Sequence, residues 1–278
     1  MIRHARGDSF LLIKQHDHAL LSGKFAERVG NAMFAPPTPF QETVDGVALH
    51  DCGWPVHDDD EPTLNDKGLP LHVLESPMAV ATKVWTESAR RAAEKNPYTG
   101  LLVSLHVTAL SNFAKTQGWI PHERARTPAE HFMLNKFQQG QFELQERLRK
   151  QLGLRTDLPL HNGLSEPGTN EAEDLLIFDY NLLKAMDRIS LDLCCREDLF
   201  PQIEDVYPRP GESPVTIKAR HTGEGTMELS PWPFAAERLE FELPCKRVPA
   251  RAYASEQEFR AVYSAAPQET YRVAISAF

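Results

Sequence analysis

The chain has 278 residues, of which 41% are hydrophobic and 25% are charged, a balance typical of a folded globular protein. Its net charge of −9, from 30 basic and 39 acidic residues, argues against bulk nucleic-acid binding but leaves a single nucleotide open as a substrate. No stretch approaches a membrane span and the four cysteines form no CxxC pair, so we expect a cytoplasmic protein without membrane partners.

The N-terminal residues predict a strand that leads into a helix. Ser9 to Lys14 (SFLLIK) is a short apolar run, and the helix after it is predicted from about Asp17 to Gly30. His18 falls on the apolar face of this helix, where a polar group needs a partner. Two interpretations stay open for His16, which would either line the rim of a site or be solvated.

His50 and Asp51 stand side by side in the stretch VDGVALHDCGWP, residues 44–55. If the stretch is helical as far as Asp51, this carboxylate shares a buried face with Val44 and Val47. An unpaired carboxylate there would cost several kcal/mol or take up a proton, so the pattern indicates a nearby cation. The adjacent histidine offers a neutral imidazole nitrogen to the same cation.

The segment from Val56 to Glu75 is predicted to be a loop that covers the opening of the site, because it directly follows the His50-Asp51 pair. The alternative is a solvated acidic loop with no role in the site. The side chains of this segment that are candidates to hold substrate are His57, Asn65, Lys67 and His72.

Two later helices carry polar residues among apolar neighbours. His106 lies in a helix that starts near Thr99, and Asp187 lies in a helix capped by Asn170. Arg188 would either reach the rim of the pocket and meet a phosphate or form a surface ion pair. The helix face around Asp187 carries no Lys or Arg that would neutralise it.

The helix between these two opens with a capping box at Thr127 to Glu130 and is predicted to end near Gly153. Its polar interior predicts an exposed outer helix. After Cys195 the chain changes to short runs of β-forming residues separated by Gly and Pro turns, which predict a small antiparallel sheet. These runs are VTIKAR, TMELSPW, RLEFELP and TYRVAISAF, with a short helix from Ser255 to Ser264.

A single histidine on an apolar face is usually a core residue bonded to a backbone carbonyl. Several such residues in one chain, two of them aspartates, are harder to explain in that way, whereas a shared metal ion would satisfy all of them. The candidate ligands are His18, His50, Asp51 and Asp187. This mixture of nitrogen and oxygen donors suits Mn, Fe, Co, Ni or Zn better than Ca, and Mg is also open.

The order of these residues resembles the HD-domain superfamily of metal-dependent phosphohydrolases over about residues 10–195. ALHDCGW is similar to its Leu-His-Asp-x-Gly helix end, and AMDRIS is similar to its Ala-Asp-Arg helix. Trp54 departs from the pattern, since many relatives carry there a lysine that helps to hold phosphate. Over nearly the whole chain, QHDHALLSG, ALHDCGW and PWPF more closely resemble a family of uncharacterised bacterial proteins known only as a domain of unknown function.

The residue patterns and this resemblance together predict a mainly α fold, α+β overall. We expect an HD-like helical domain over residues 1–200, with a strand at 9–14, and a small antiparallel β appendage over residues 201–278. The implied activity is that of a metal-dependent phosphohydrolase acting on a small phosphorylated molecule or nucleotide. The candidate catalytic residues are His106 (a fifth ligand or a substrate contact), His57 and Arg188.

Two other functional classes stay open. One is a non-catalytic HD-like protein that binds a ligand, which the absence of a lysine at Trp54 favours. The other is an HD-like di-iron oxygenase or a hydrolase of a non-phosphate substrate. The general base, the number of metal ions and the oligomeric state are not determined by the sequence.

Overall fold

A computed structural model describes residues 1–59, 61–116, 126–157, 164, 168, 170–195 and 200–278. The strands are β1 (Ile2–Arg6), β2 (Ser9–Ile13), β3 (Gln202–Val206), β4 (Val215–Gly223), β5 (Thr226–Ser230), β6 (Arg238–Pro249) and β7 (Gln268–Ala277). The helices are α1 (Gln15–Ala26), α2 (Phe40–Leu49), α3 (Pro55–Asp58), α4 (Met78–Lys95), α5 (Pro97–Thr116), α6 (Pro128–Leu152), α7 (Glu171–Cys195) and α8 (Glu256–Ala265), with a 3-10 turn at Val73–Glu75. Within these ranges, no helix combines the length and apolarity needed to cross a bilayer.

The seven strands form one mixed sheet in the order β1-β2-β6-β7-β5-β4-β3. Neighbouring strands are antiparallel except β5 and β7, which run parallel. The N-terminal hairpin joins the C-terminal strands through β2 and β6, where Ser9 pairs with Pro249 and Leu12 pairs with Lys246. Both ends of the chain therefore contribute to the same sheet.

The predicted fold class, a mainly α fold with a small antiparallel β appendage, is wrong. The protein is 50% helical and 22% strand, and its curled mixed sheet is too large to be an appendage. The four C-terminal runs do form strands β4 to β7. A pattern of alternating residues identifies a strand but does not show its partner, so the joining of β2 to β6 could not be read from the sequence.

One hydrophobic core lies between the helices and the sheet. Leu11 and Ile13 of β2, Phe25 of α1, Leu183 of α7 and Ile217 of β4 all belong to it and are at most 1% exposed. Burying each such side chain stabilises the fold by about 1.5–3 kcal/mol. The sheet thus forms one wall of the core against which α1 and α7 are fixed.

Two glycines allow the helices that carry the site to approach closely. A Cβ atom at Gly23 of α1 would lie 2.6 Å from the Cβ atom of Ala48 in α2. A Cβ atom at Gly53, just after α2, would lie 2.1 Å from the carbonyl oxygen of Val84 in α4. Only glycine fits at these two contacts, which set the position of the turn after α2 relative to α1 and α4.

The helix ends predicted at Thr127, Gly153 and Asn170 are confirmed, whereas the first helix, predicted from about Asp17 to Gly30, runs from Gln15 to Ala26. Thr127 accepts a hydrogen bond from the backbone N–H of Glu130 while the Glu130 carboxylate accepts one from the N–H of Thr127, and Gly153 ends α6 in the left-handed conformation. Asn170 accepts a hydrogen bond at 3.0 Å from the N–H of Glu173 at the start of α7. These caps satisfy backbone groups that have no partner inside the helix.

Candidate metal centre

Five side chains meet at the buried junction of α1, α2, α5 and α7. His18 lies in α1, His106 in α5 and Asp187 in α7. His50 ends α2, and Asp51 lies in the turn that follows. The structure thus brings together the four residues predicted as metal ligands, and His106 with them.

The facing atoms form two overlapping groups that share His50, one with His18 and Asp51 and one with His106 and Asp187, and each group could hold a metal ion. Nε2 of His18 lies 3.1 Å from Asp51 Oδ2 and 3.9 Å from Asp187 Oδ1. Nε2 of His50 lies 3.8 Å from Asp51 Oδ2 and 3.2 Å from Asp187 Oδ1, and Nε2 of His106 lies 3.5 Å from Asp187 Oδ2. Two ligand atoms that are each about 2.1 Å from one ion are separated by about 3.0 Å when adjacent and about 4.2 Å when opposite. All five separations fall within that interval.

The hydrogen bond of His50 leaves its second nitrogen facing negative charge. Nδ1 of His50 donates to the Val47 carbonyl at 2.7 Å, so in the neutral ring Nε2 carries only a lone pair. Within the described residues, that atom has no hydrogen-bond partner although it points toward two carboxylates. Burial would lower the pKa of His50, but Asp51 and Asp187 outweigh burial and raise it to about 9. The position therefore requires a cation, either a second proton or a metal ion.

His106 is a buried imidazole with neither nitrogen satisfied. It is 3% exposed, and neither Nδ1 nor Nε2 has a hydrogen-bond partner among the residues that the structure describes. Burial lowers the pKa of His106 to about 4, so the ring is neutral near pH 7. An unsatisfied buried polar group costs about 1–3 kcal/mol. A ligand that binds one of these nitrogens would remove that cost.

Asp51 is held in place by donors on both oxygens. The indole Nε1 of Trp54 donates to Oδ1 at 3.0 Å, and the side-chain Nε2 of Gln15 donates to Oδ2 at 2.9 Å. Gln15 is itself fixed, because its backbone N–H donates to Asp58 Oδ2 at 2.9 Å. Trp54, which departs from the HD-domain pattern, is therefore part of the support of the site rather than a residue at its opening.

Ser190 connects α7 to the ring of His18. Its Oγ lies 2.9 Å from Nδ1 of His18 and donates to the Asp187 carbonyl at 3.0 Å. Ser22 Oγ lies 2.6 Å from the same hydroxyl. When Ser190 donates to the carbonyl, the Nδ1–H of His18 donates to Ser190, and Nε2 turns its lone pair toward Asp51. This is how an outer residue fixes the tautomer of a metal-binding histidine.

Asp187 is the most exposed member of the cluster. Its side chain is 14% exposed, whereas the side chains of His18 and His50 are 1% exposed. Burial opposes ionisation of Asp187, but the surrounding imidazoles of His50, His106 and His18 outweigh it and hold its pKa well below the usual range. The cluster thus contains ionised Asp187 on the side that is nearest to solvent.

Three other predicted residues lie outside the cluster. His57 donates from Nδ1 to Asp58 at 3.1 Å and accepts at Nε2 from the Thr63 hydroxyl at 3.1 Å, so both ring nitrogens are used. The half-buried Arg188 lies with its guanidinium 5.7 Å from the ring of Phe200. His16 is half-buried beside the site, and burial lowers its pKa.

The described residues of the segment from Val56 to Glu75 are tied to the sheet and to α8. Leu64 and Leu69 pack against a cluster that contains Phe10 of β2 and Phe259 of α8. The carbonyl of Gly68 accepts a hydrogen bond at 2.8 Å from the N–H of Tyr253. These contacts are those of a structural strap between the two ends of the chain.

A family model, DUF3891, described as a protein of unknown function, matches residues 1–250. The chain belongs to DUF3891. This confirms the closer of the two resemblances, which rested on QHDHALLSG, ALHDCGW and PWPF. No curated protein and no solved structure matches the chain.

Sequence reasoning missed the supporting residues of this DUF3891 site. Gln15 lies three residues before His18 and so on the same side of α1, but it precedes the predicted helix start at Asp17, and its contact is with Asp51 in the turn after α2. Ser190 does have a signal, because it lies three residues after Asp187 and therefore on the same side of α7. The sequence marks Trp54 only by the absence of a lysine, and its role as a donor depends on the turn after α2.

Proposed function

We propose that this DUF3891 chain is a metal-dependent phosphohydrolase of HD-domain type, acting on a small phosphorylated molecule or nucleotide. The observation that carries the proposal is the buried cluster in which imidazole nitrogens of His50 and His106 without hydrogen-bond partners face the carboxylates of Asp51 and Asp187. Such an arrangement is unfavourable unless a cation lies among these atoms.

The donor set fits a divalent transition-metal ion. His18, His50, Asp51 and Asp187 would hold it, and His106 would be a fifth ligand. Three imidazoles and two carboxylates suit Mn, Fe, Co, Ni or Zn, and Mg is a weaker candidate because it prefers oxygen. When bound, such an ion lowers the pKa of a coordinated water and polarises a phosphoryl oxygen.

The surrounding residues keep the ligands in one arrangement. Trp54 and Gln15 occupy the remaining hydrogen-bonding positions of Asp51, so that its carboxylate cannot rotate freely. Ser190 orients His18, and the Val47 carbonyl orients His50. Preorganised ligands bind an ion without the cost of ordering flexible side chains.

The test begins with the metal content of the purified full-length protein. We expect about one transition-metal ion per chain, followed by hydrolysis of phosphate monoesters or nucleotides in a screen with Mn or Mg. Absence of bound metal after loading with Mn, Co and Zn would overturn the proposal. One metal without phosphatase activity would favour the ligand-binding class, and two iron ions per chain would favour the oxygenase class.

A further inference from the structure

Helix α7 carries two cations beside the most exposed residue of the cluster. Lys184 precedes Asp187 by three residues and Arg188 follows it by one, so the expectation that the helix face around Asp187 carries no Lys or Arg is wrong. At 100° per residue, Lys184 lies about 60° and Arg188 about 100° from Asp187 around the helix, in the same direction. Ser190 lies about 60° in the opposite direction, where it contacts His18. Ser190 therefore lies on one side of Asp187 around the helix, and Lys184 and Arg188 lie on the other.

Exposure increases toward these two cations. The side chain of His106 is 3% exposed, that of Asp187 is 14% exposed and that of Lys184 is 22% exposed. Arg188 is also partly exposed. These values place the solvent-exposed edge of the cluster at Asp187, on the helix that carries both cations.

Neither cation has its hydrogen-bonding capacity filled. The ammonium group of Lys184 donates to Asn181 Oδ1 at 3.1 Å and lies 3.8 Å from Asp205, whose side chain is 61% exposed. Arg188 contacts the ring of Phe200 but has no hydrogen bond or ion pair within the described ranges. A guanidinium group has five N–H donors, and leaving them unpaired in a half-buried position is unfavourable.

The two residues are also like charges four positions apart on one helix. Such pairs destabilise a helix slightly. Burial lowers the pKa of Lys184, and Arg188 lowers it further. A bound anion between the two groups would convert this repulsion into attraction.

The turn after α2 supplies no cation to the cluster at residue 54. Trp54 occupies this position, is 2% exposed and donates to Asp51. Arg91 is already engaged, because it bonds to Glu87 and to the carbonyl of Cys52. By contrast, Arg188 makes neither a hydrogen bond nor an ion pair with any described residue, and Lys184 makes one hydrogen bond, to Asn181.

We propose that Lys184 and Arg188 form the anion-binding subsite of this centre and hold the phosphoryl group of the substrate next to Asp187. The inference rests on the proposed function and assigns the phosphate contact to α7. Arg188 presents a planar fork that matches two phosphate oxygens, and Lys184 adds a point charge. The two charges together favour a phosphoryl dianion over a carboxylate.

The test uses full-length protein loaded with Co²⁺ and titrated with inorganic phosphate. Phosphate binding is measured by the visible absorption of Co²⁺ and by calorimetry. The same titration with acetate measures the affinity for a carboxylate. For the double variant Lys184→Gln/Arg188→Gln we expect one Co²⁺ per chain with a Kd within about threefold of the parent, and a phosphate Kd raised about 100-fold. Each single variant should raise the phosphate Kd about tenfold. The single variants keep the test usable if the double variant fails to fold.

The matched control is Lys24→Gln/Arg28→Gln. These residues have the same identities and the same four-residue spacing, and both are exposed on the N-terminal segment around α1. We expect their replacement to leave phosphate affinity within about twofold of the parent.

Three outcomes would overturn the subsite. The first is an unchanged phosphate Kd in the double variant with Co²⁺ bound, which would leave the proposed function intact. The second is acetate binding as tight as phosphate binding. The third is absence of phosphate binding by the parent protein. A parent protein that binds no metal would refute the proposed function but not the subsite. If that parent protein still bound phosphate and the double variant did not, the subsite would stand.

Discussion

At the scale of single residues, the chemistry of the site depends on which nitrogen of each imidazole is already used. A carbonyl group only accepts hydrogen bonds, so the contact with Val47 commits Nδ1 of His50 to carry a proton. A hydroxyl group both donates and accepts, so Ser190 fixes the tautomer of His18 only through its own donation to the Asp187 carbonyl. His50 is therefore the histidine that most needs a cation at its second nitrogen.

Asp187→Asn separates a metal ligand from a structural aspartate. We expect metal affinity to fall at least about 100-fold, because a charged ligand is lost. In the presence of chelator the melting temperature should change by less than about 3 °C, because removal of a buried charge offsets the lost contacts with the histidines. Among the described residues no Lys or Arg forms an ion pair with Asp187, so none would be left unpaired.

The control for this experiment is Asp179→Asn on the same helix, which removes a buried carboxylate outside the cluster. Its metal affinity should equal that of the parent at pH 8. If Asp187→Asn lowered the melting temperature equally in chelator and in added metal, Asp187 would be a structural residue and not a ligand.

Trp54→Phe tests whether the indole N–H supports Asp51. The ring that packs in the core is kept and one hydrogen bond at 3.0 Å is lost. We expect metal affinity to fall about tenfold and the free energy of unfolding to fall by about 1 kcal/mol. Trp85→Phe, in the same buried cluster, is the matched control and should leave metal affinity unchanged. Equal metal affinities in both variants would remove Trp54 from the support of the site.

At the scale of elements, α6 shows where composition misleads. Its glutamines predicted an exposed outer helix, but Gln141 and Gln145 are buried against α5. Ser104 donates to Gln141 at 2.8 Å, and Gln145 donates to Ser104 at 3.1 Å and to Thr108 at 3.0 Å. Polar residues can form a buried helix interface when each finds a partner on the facing helix, and that partner is set by the tertiary structure.

Asn65→Ala tests the segment between Val56 and Glu75 as a strap. The Asn65 side chain accepts from the N–H groups of Lys67 and Leu69 and donates to Glu75, each at 3.0 Å. We expect the variant to lose about 2 kcal/mol in chemical denaturation and to keep its metal affinity. A variant with unchanged stability but altered turnover would instead support the predicted role as a cover over the site.

At the scale of the whole molecule, one buried carboxylate links three parts of the fold. Asp179 of α7 is 0% exposed and accepts hydrogen bonds from the hydroxyl of Tyr98 at 2.7 Å and from the N–H of Thr38 at 3.3 Å. Burial raises its pKa to about 7 despite these donors. The folded protein therefore favours the protonated form of this residue over a wide pH range.

The contribution of Asp179 to the free energy of unfolding should consequently fall as pH rises. Because the pKa of Asp179 is higher in the folded than in the unfolded state, its contribution is fully present below about 3.8 and is lost as pH rises through about 7. We measure the free energy of unfolding by urea denaturation in chelator. Between pH 4 and pH 8, the value for Asp179→Asn should increase relative to that of the parent by up to about 4 kcal/mol. Parallel stability curves for the two proteins would show that Asp179 is ionised in the fold throughout.

The sequence by itself determined the candidate ligands, the helix caps and the C-terminal strands. These features depend on neighbours within about one helical turn, such as an aspartate with apolar residues three and four positions away, or Thr127 with Glu130. Membership of DUF3891 also followed from short motifs in the chain.

Only the tertiary structure decided the sheet and the donors to Asp51. The pairing of Ser9 with Pro249 and the hydrogen bond from Gln15 to Asp51 join residues that are distant in sequence. Such contacts are selected by the packing of the whole core, in which close approach at Gly23 and Gly53 sets the distances between helices. A local pattern can show that a carboxylate is buried, but its partners are fixed only when the elements around it are packed.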